Sequence, residues 1–231
     1  MSYFITGTDT GVGKTLVSCA LLHAFARQGK RVVGFKPVSA GCDDNDHNED
    51  AKQLRAASNV QATYGQINPY CFPHAIAPHL AARHAGSRID FARILASFQE
   101  LSGQSDEVIV EGVGGFCVPL NETQDSGDLA VRLNLPVILT VGMRLGCLNH
   151  ALLTLRVIDD YHLKCAGWVA NVLQADMPAL QENIDALRER IDAPLLGIVP
   201  YQAQPDVQET AGYLQLDLLS RHETLDTKNS N

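Results

Sequence analysis

The sequence predicts an α/β protein, a mostly parallel β-sheet flanked by helices on both faces. Three observations lead there. Short β-rich runs alternate with helical patterns, several of those runs end on a polar or turn-forming residue, and the chain can bury a sizeable core. Its 231 residues are 45% apolar, which argues against global disorder. No Pro/Gly/Ser-rich linker divides it and no internal repeat is visible. Residues 1–221 are therefore expected to form a single domain, and the polar residues 222–231 a frayed tail.

The elements follow in order. Tyr3-Phe4-Ile5-Thr6 reads as the first strand. Val17, Ala20, Leu21 and Ala24 then recur at helical spacing, and Gly29 ends that helix. Residues 31–35 form a second strand, and the polar stretch 41–49 reads as a loop. Ala51, Leu54 and Arg55 begin a further helical pattern, for which Asp50 is most simply the N-cap. Residues 107–110, 135–141, 167–170 and 195–199 supply the third to sixth strands. Four runs end at Gly7, Lys36, Glu111 and Asn171. Ligands in open α/β sheets bind beyond the carboxyl ends of strands, so these positions are expected to converge on one pocket.

Composition excludes several functions. With 18 basic against 26 acidic residues, the net charge of −8 disfavours a general grip on nucleic acid or an anionic membrane. Six cysteines include no Cys-x-x-Cys pair, so neither a zinc ribbon nor a thioredoxin motif is supported. Their even number invites disulfides, but Cys19 and Cys165 lie in apolar runs, where a small buried thiol is the commoner state. The first residues carry no basic region followed by a long apolar run, and no apolar stretch is long enough to span a bilayer. The expectation is a soluble, cytoplasmic protein.

Gly7-Thr8-Asp9-Thr10-Gly11-Val12-Gly13-Lys14-Thr15 follows the first strand and opens the first helix. Its glycines let backbone N–H groups encircle phosphate oxygens, and the helix N-terminus adds positive potential. Lys14 is placed for the β/γ-phosphates and the Thr15 hydroxyl for Mg²⁺. Five residues separate Gly7 from Gly13, one more than usual. This phosphate loop specifies the fold class as P-loop NTPase-type. Lys36, held by Pro37 at a strand end, is aimed at the same crevice, where it can neutralise an acid or a developing phosphoryl charge. Glu111, followed by Gly112-Val113-Gly114-Gly115, has a Walker-B-like position beside a metal. Asp50 is a candidate third oxygen ligand to Mg²⁺. In Gly142-Met143-Arg144-Leu145-Gly146-Cys147-Leu148-Asn149-His150, backbone N–H groups can meet a carboxylate at the next helix N-terminus. Cys147 and His150 are adjacent, but adjacency is not catalytic geometry and no third member is identifiable.

Taken together and in this order, the phosphate loop, Lys36-Pro37-Val38, Val110-Glu111-Gly112-Val113-Gly114-Gly115, Leu145-Gly146-Cys147-Leu148-Asn149-His150-Ala151, Gly167-Trp168-Val169-Ala170-Asn171 and Ala193-Pro194-Leu195-Leu196-Gly197 resemble the dethiobiotin synthetase family. The resemblance covers nearly the whole chain except the polar tail, and the longer phosphate loop is the family's form. It implies a homodimer that uses Mg²⁺, ATP and CO₂ to close the ureido ring on 7,8-diaminopelargonate. It further implies that Thr15, Asp50 and Glu111 hold Mg²⁺, and that Gly11, Val12, Gly13, Lys14, Thr15 and Leu16 wrap the ATP phosphates. Gly112, Val113 and Gly114 belong to the same nucleotide site, and Asn171, Pro200 and Tyr201 to its adenine end. Lys36, Lys14 and Thr10 are implied in catalysis. Asn149 is implied to meet the carboxylate of substrate bound to the partner subunit.

Two features depart from the family. Ala40 stands where a Ser or Thr is frequent, so that substrate contact comes from Ser39 or a backbone N–H, or is absent. The stretch before Asp50 is short and acidic, with Asp43, Asp44, Asp46 and Glu49 as neighbouring carboxylates. A partition or division-site ATPase shares the phosphate loop and sheet. Such switches usually carry an extra lysine early in the loop, and residues 8–12 contain none. A cobyrinate-type amidotransferase needs a glutaminase domain for which 231 residues leave no room.

Overall fold

A computed structural model describes residues 2–219; the expected polar tail lies outside the described residues. All six expected strands form. β1 (Tyr3–Gly7) leads through the glycine-rich loop into α1 (Lys14–Arg27), and the chain returns as β2 (Val32–Phe35). A break at Lys36-Pro37 redirects it into β3 (Val38–Ala40). After the acidic loop come α2 (Glu49–Ala57), α3 (Tyr64–Ile67), β4 (Tyr70–Phe72), α4 (Pro78–His84), α5 (Phe91–Gln104) and β5 (Glu107–Glu111). The remainder alternates regularly: α6 (Ser126–Leu133), β6 (Val137–Met143), α7 (Cys147–Asp160), β7 (Cys165–Val172), α8 (Leu180–Arg188), β8 (Leu195–Val199) and α9 (Val207–Gly212).

The main sheet has six strands in the order β2-β5-β1-β6-β7-β8, and every pairing is parallel. The period of two along each strand builds two cores. Tyr3, Ile5, Val32 and Ile109 face one side and pack with Val17, Leu21, Leu54 and Ala211 of α1, α2 and α9. Phe4, Val33, Val108 and Val110 face the other, against Ile94, Leu101, Leu129 and Ile158 of α5, α6 and α7. Trp168, fully buried, continues that layer with Ile184 and Leu187 of α8. Because all six strands run the same way, the carboxyl ends of β1, β2, β5, β6 and β7 share one edge.

The structure corrects several sequence expectations. The fourth strand starts at Val137 rather than at Leu135, because Pro136 has no N–H for a ladder. The fifth extends from Cys165 to Val172, since it is paired on both sides. Asp50 is not the cap of α2. Asn48 is, and its side chain accepts the Asp50 N–H at 3.1 Å. That leaves the Asp50 carboxylate in the first turn, free to reach the crevice. The two-stranded parallel sheet β3-β4 was not expected. A disulfide joins Cys42 to Cys71 across its end, with Cα atoms 6.1 Å apart. Cys19 is buried and Cys165 half-buried, and desolvation pushes both thiols up to about 12. No described helix is long and apolar enough to cross a membrane.

Candidate active site

The phosphate loop is held open by its backbone. Gly11 and Gly13 have left-handed φ values of 73° and 89°. At Gly13 a Cβ would lie 2.1 Å from the Asn171 amide nitrogen, so both conformation and space demand glycine. Asn171, at the end of β7, donates from that nitrogen to the Val12 carbonyl at 2.9 Å and braces the loop from behind. Lys14 opens α1 and is 93% buried at residue level, its relative exposure being 7%. Its Nζ donates to the Asp9 carbonyl at 2.9 Å. Asp9 also pairs with Arg144 of the β6–α7 loop at 2.5 Å.

Beside the loop lies a compact charged cluster. The Lys36 ammonium is buried and donates to Glu111 Oε1 at 2.5 Å, to Asp50 Oδ2 at 2.9 Å and to the Gly112 carbonyl at 3.3 Å. The Thr15 hydroxyl lies 2.9 Å from Asp50 Oδ1 and 3.0 Å from Glu111 Oε1, one proton serving two acceptors. Glu111 Oε2 is buried with no partner. Burial alone pulls Lys36 downward, but the Glu111 and Asp50 carboxylates outweigh it and hold the lysine above its ordinary range. Burial likewise pushes Asp50 up, and Lys36 with Thr15 more than reverses this, leaving its carboxyl below the usual range.

These groups line one cavity of about 810 Å³. Thr10, Gly11, Gly13, Lys14 and Thr15 form its loop side, and Lys36, Asp50 and Glu111 its charged floor. Val113 and Gly114 also line it, while Val12 is enclosed behind the loop. Gly112 contributes through its carbonyl, and the half-buried Leu16 packs into the core under α1. Ala40 lines the cavity and has no hydroxyl to offer. The neighbouring Ser39 also lines the cavity, with its hydroxyl donating to Asn68 Oδ1 at 2.8 Å. Gly7 and Asn171 are not among the lining residues, so only two of the four strand-end positions, Lys36 and Glu111, meet in this cavity. Tyr201, following Pro200 after β8, borders a separate open depression with Leu173, Gln174 and Asp176. Asn149 is exposed in the first turn of α7, away from the cavity. The sequence reading missed the apolar wall formed by Ala75, Ile76, Ala77 and Pro78. It also missed Asn68, whose only signal was the turn-forming Asn68-Pro69 pair.

The site suits Mg²⁺. Its donors are hydroxyl and carboxylate oxygens, with one carboxylate oxygen unpartnered. Among the described residues no group of three or more His, Cys, Asp or Glu could hold a metal. Two carboxylates and one hydroxyl would leave the rest of an ion's shell to phosphate oxygens and water, the ligand set that Mg²⁺ prefers.

With Lys14 placed at the phosphates, nucleotide binding is expected to depend on pH. Burial, with Lys36 nearby, lowers it to about 8. Anionic phosphates raise it again, so binding above pH 8 takes up a proton. Affinity for ATP is expected to fall steadily from pH 8 to pH 9.5, with proton uptake visible by calorimetry in buffers of different ionisation enthalpy. An affinity flat over that range disproves the lowered lysine. The linked stability of the free protein has the opposite slope. The penalty for burying the charge is full below pH 8 and lifts as pH rises toward the ordinary lysine value.

Comparison with known proteins shows what the chain is similar to. The AAA domain family model matches residues 1–209. The ATP-dependent dethiobiotin synthetase BioD of Aromatoleum aromaticum is 53% identical over 218 residues, covering 93% of this chain and 97% of that one. Its counterpart from Nitrosospira multiformis is 52% identical over 214 residues, covering 93% and 94%. Among solved structures, the MinD cell division protein of Aquifex aeolicus superposes with a TM-score of 0.56 at 14% identity, covering 97% of each chain. That likeness is one of fold.

Proposed function

The chain belongs to the dethiobiotin synthetase family, and from that premise we propose how its own residues close the ring. It is an ATP-dependent ligase that makes dethiobiotin. The substrates in this reading are 7,8-diaminopelargonate, CO₂ and ATP. One amine captures CO₂ as a carbamate, and a carbamate oxygen attacks the γ-phosphorus. The bond to the bridging oxygen breaks and ADP leaves. The second amine then attacks the carbamoyl carbon, loses its proton and expels phosphate, which closes the ureido ring.

The observation that carries this reading is the Lys36 ammonium, buried at the floor of the same cavity as the phosphate loop. An anionic carbamate needs a fixed cation shielded from water, and buried Lys36 supplies one when the carbamate takes the place of one of its three acceptors, Glu111, Asp50 and the Gly112 carbonyl. Lys14, the loop amides and the α1 N-terminus bind and orient the phosphates, with Thr10 beside them. Thr15, Asp50 and Glu111 would hold Mg²⁺, which would supply charge neutralisation at the phosphate oxygens. No protein nucleophile is required; position and electrostatics carry the rate. Asn171 and the Pro200-Tyr201 segment border the adenine end. Incubation with 7,8-diaminopelargonate, Mg-ATP and labelled bicarbonate tests the reading. Labelled dethiobiotin, read by mass spectrometry and dependent on both diamine and ATP, is expected. Folded, ATP-binding protein that makes none refutes it.

The proposed assembly is a homodimer whose partner completes the substrate site. Leu145, in the β6–α7 loop, is 99% exposed, and Leu153, one turn after Asn149 on α7, is 52% exposed. Apolar side chains this bare favour a protein partner. Leu145→Glu is expected to shift the protein toward monomer in sedimentation and to raise the KM for the diamine, with ATP binding kept. A dimer unchanged by Leu145→Glu and Leu153→Glu together places the interface elsewhere.

A further inference from the structure

Lys36 sits where the chain leaves one sheet and has not yet joined another. β2 ends at Phe35, Pro37 carries no N–H, and β3 begins at Val38. A buried break of this kind leaves main-chain groups without a ladder, and they must find partners. They find both on one dipeptide. The Lys36 N–H donates to the Ile67 carbonyl at 2.8 Å, and the Lys36 carbonyl accepts from Asn68 Nδ2 at 2.7 Å.

Asn68 is buried at 4% exposure, and its amide is saturated. Nδ2 donates to the carbonyls of Lys36 and Tyr70, at 2.7 and 3.1 Å. Oδ1 accepts from the Ser39 hydroxyl at 2.8 Å and the Tyr64 hydroxyl at 3.1 Å. The orientation of the amide is thereby fixed, because a flip would set the oxygen against two carbonyls. The network continues to the metal-binding side. The same Tyr64 hydroxyl accepts the Asn48 N–H at 2.6 Å, and Asn48 caps the helix that carries Asp50. The backbone of Lys36 and the helix presenting one of its carboxylate partners thus share a hub that touches neither the Lys36 ammonium nor the Asp50 carboxylate.

We infer that Asn68 is a positioning residue for Lys36. Its amide replaces the missing β-ladder at the β2–β3 break and fixes where the ammonium stands relative to the phosphate loop. The inference rests on the role assigned to Lys36 above. Asn68 lies outside the lining of the cavity, so its effect must pass through Lys36 and the β3 segment.

The test compares Asn68→Ala, Asn68→Asp and Lys36→Ala in the full-length protein, with turnover and both KM values measured well below each melting temperature. Asn68→Asp keeps the shape and the Oδ1 acceptor, and replaces the donor to Lys36 and Tyr70 by an oxygen set against their carbonyls. It remains decisive should Asn68→Ala fail to fold. Each Asn68 variant that folds is expected to lose about 100-fold in kcat, the scale of an ångström-sized misplacement, with the KM for ATP within about twofold. An Asn68 that served stability alone would lower the melting temperature and leave kcat per folded molecule intact. That outcome, or a loss confined to the KM for the diamine, or kcat and ATP binding collapsing together, overturns the inference. Turnover retained by Lys36→Ala refutes the Lys36 reading itself. Lys36→Ala inactive beside fully active Asn68 variants refutes the Asn68 inference alone.

Discussion

Lys36→Ala is expected to reduce dethiobiotin formation by at least about 1,000-fold, the upper range for removing one preorganised charge stabiliser. The affinity for ATP should change only a few-fold, because the loop amides and Lys14 remain. The substitution should also destabilise the free protein. Glu111 is fully buried, its Oε1 is paired with Lys36 and its Oε2 has no partner. Removing one member of a buried ion pair costs about 3–5 kcal/mol, since the other charge is left uncompensated. Adding Glu111→Gln to Lys36→Ala should restore much of that stability without restoring turnover, which separates the two contributions. Product assays, ATP titration calorimetry and denaturant midpoints measure the three effects. Turnover retained by Lys36→Ala takes the residue out of the mechanism.

The parts of this site that were legible in the sequence are those fixed by local spacing. Lys14 and Thr15 follow a glycine loop between strand and helix, and Lys36 and Glu111 sit at the ends of apolar runs. Parallel pairing then brings β2, β5 and β1 side by side, so residues far apart in sequence meet at one edge. What was not legible depends on contacts without a local signature. Asn68 reads only as a turn former, yet it acts through atoms of Lys36, Ser39, Tyr64 and Tyr70. Strands β3 and β4 have three residues each, too few for a period of two to register. Asp50 read as a cap because caps and first-turn carboxylates differ by two positions, and Asn48 competes for the same role. Asn171 read as a purine contact; that its amide nitrogen also braces the loop had no local signature.

That last bond makes Gly13→Ala the second large prediction. Gly13 adopts φ 89°, a left-handed value that costs a residue with a Cβ about 1–3 kcal/mol when enforced. The same Cβ meets the Asn171 amide nitrogen at 2.1 Å, so the amide must move and the Val12 carbonyl loses its donor. Leaving a buried carbonyl unsatisfied costs about 1–3 kcal/mol more. Each 1.4 kcal/mol that falls on the binding-competent loop is about tenfold in affinity, so ATP binding should weaken by about 100-fold or more. The melting temperature should fall as well. Gly13→Ala combined with Asn171→Ala separates the two causes. It removes the clash but not the left-handed backbone, so part of the stability should return while ATP binding stays weak. Full recovery of binding in the double variant would make the clash the whole effect. ATP binding unchanged by Gly13→Ala alone would mean that the nucleotide does not require this loop conformation. In the expected case Asn171 contributes to nucleotide binding from behind the loop, by holding Val12 and Gly13 in the shape that lets the amides face the phosphates.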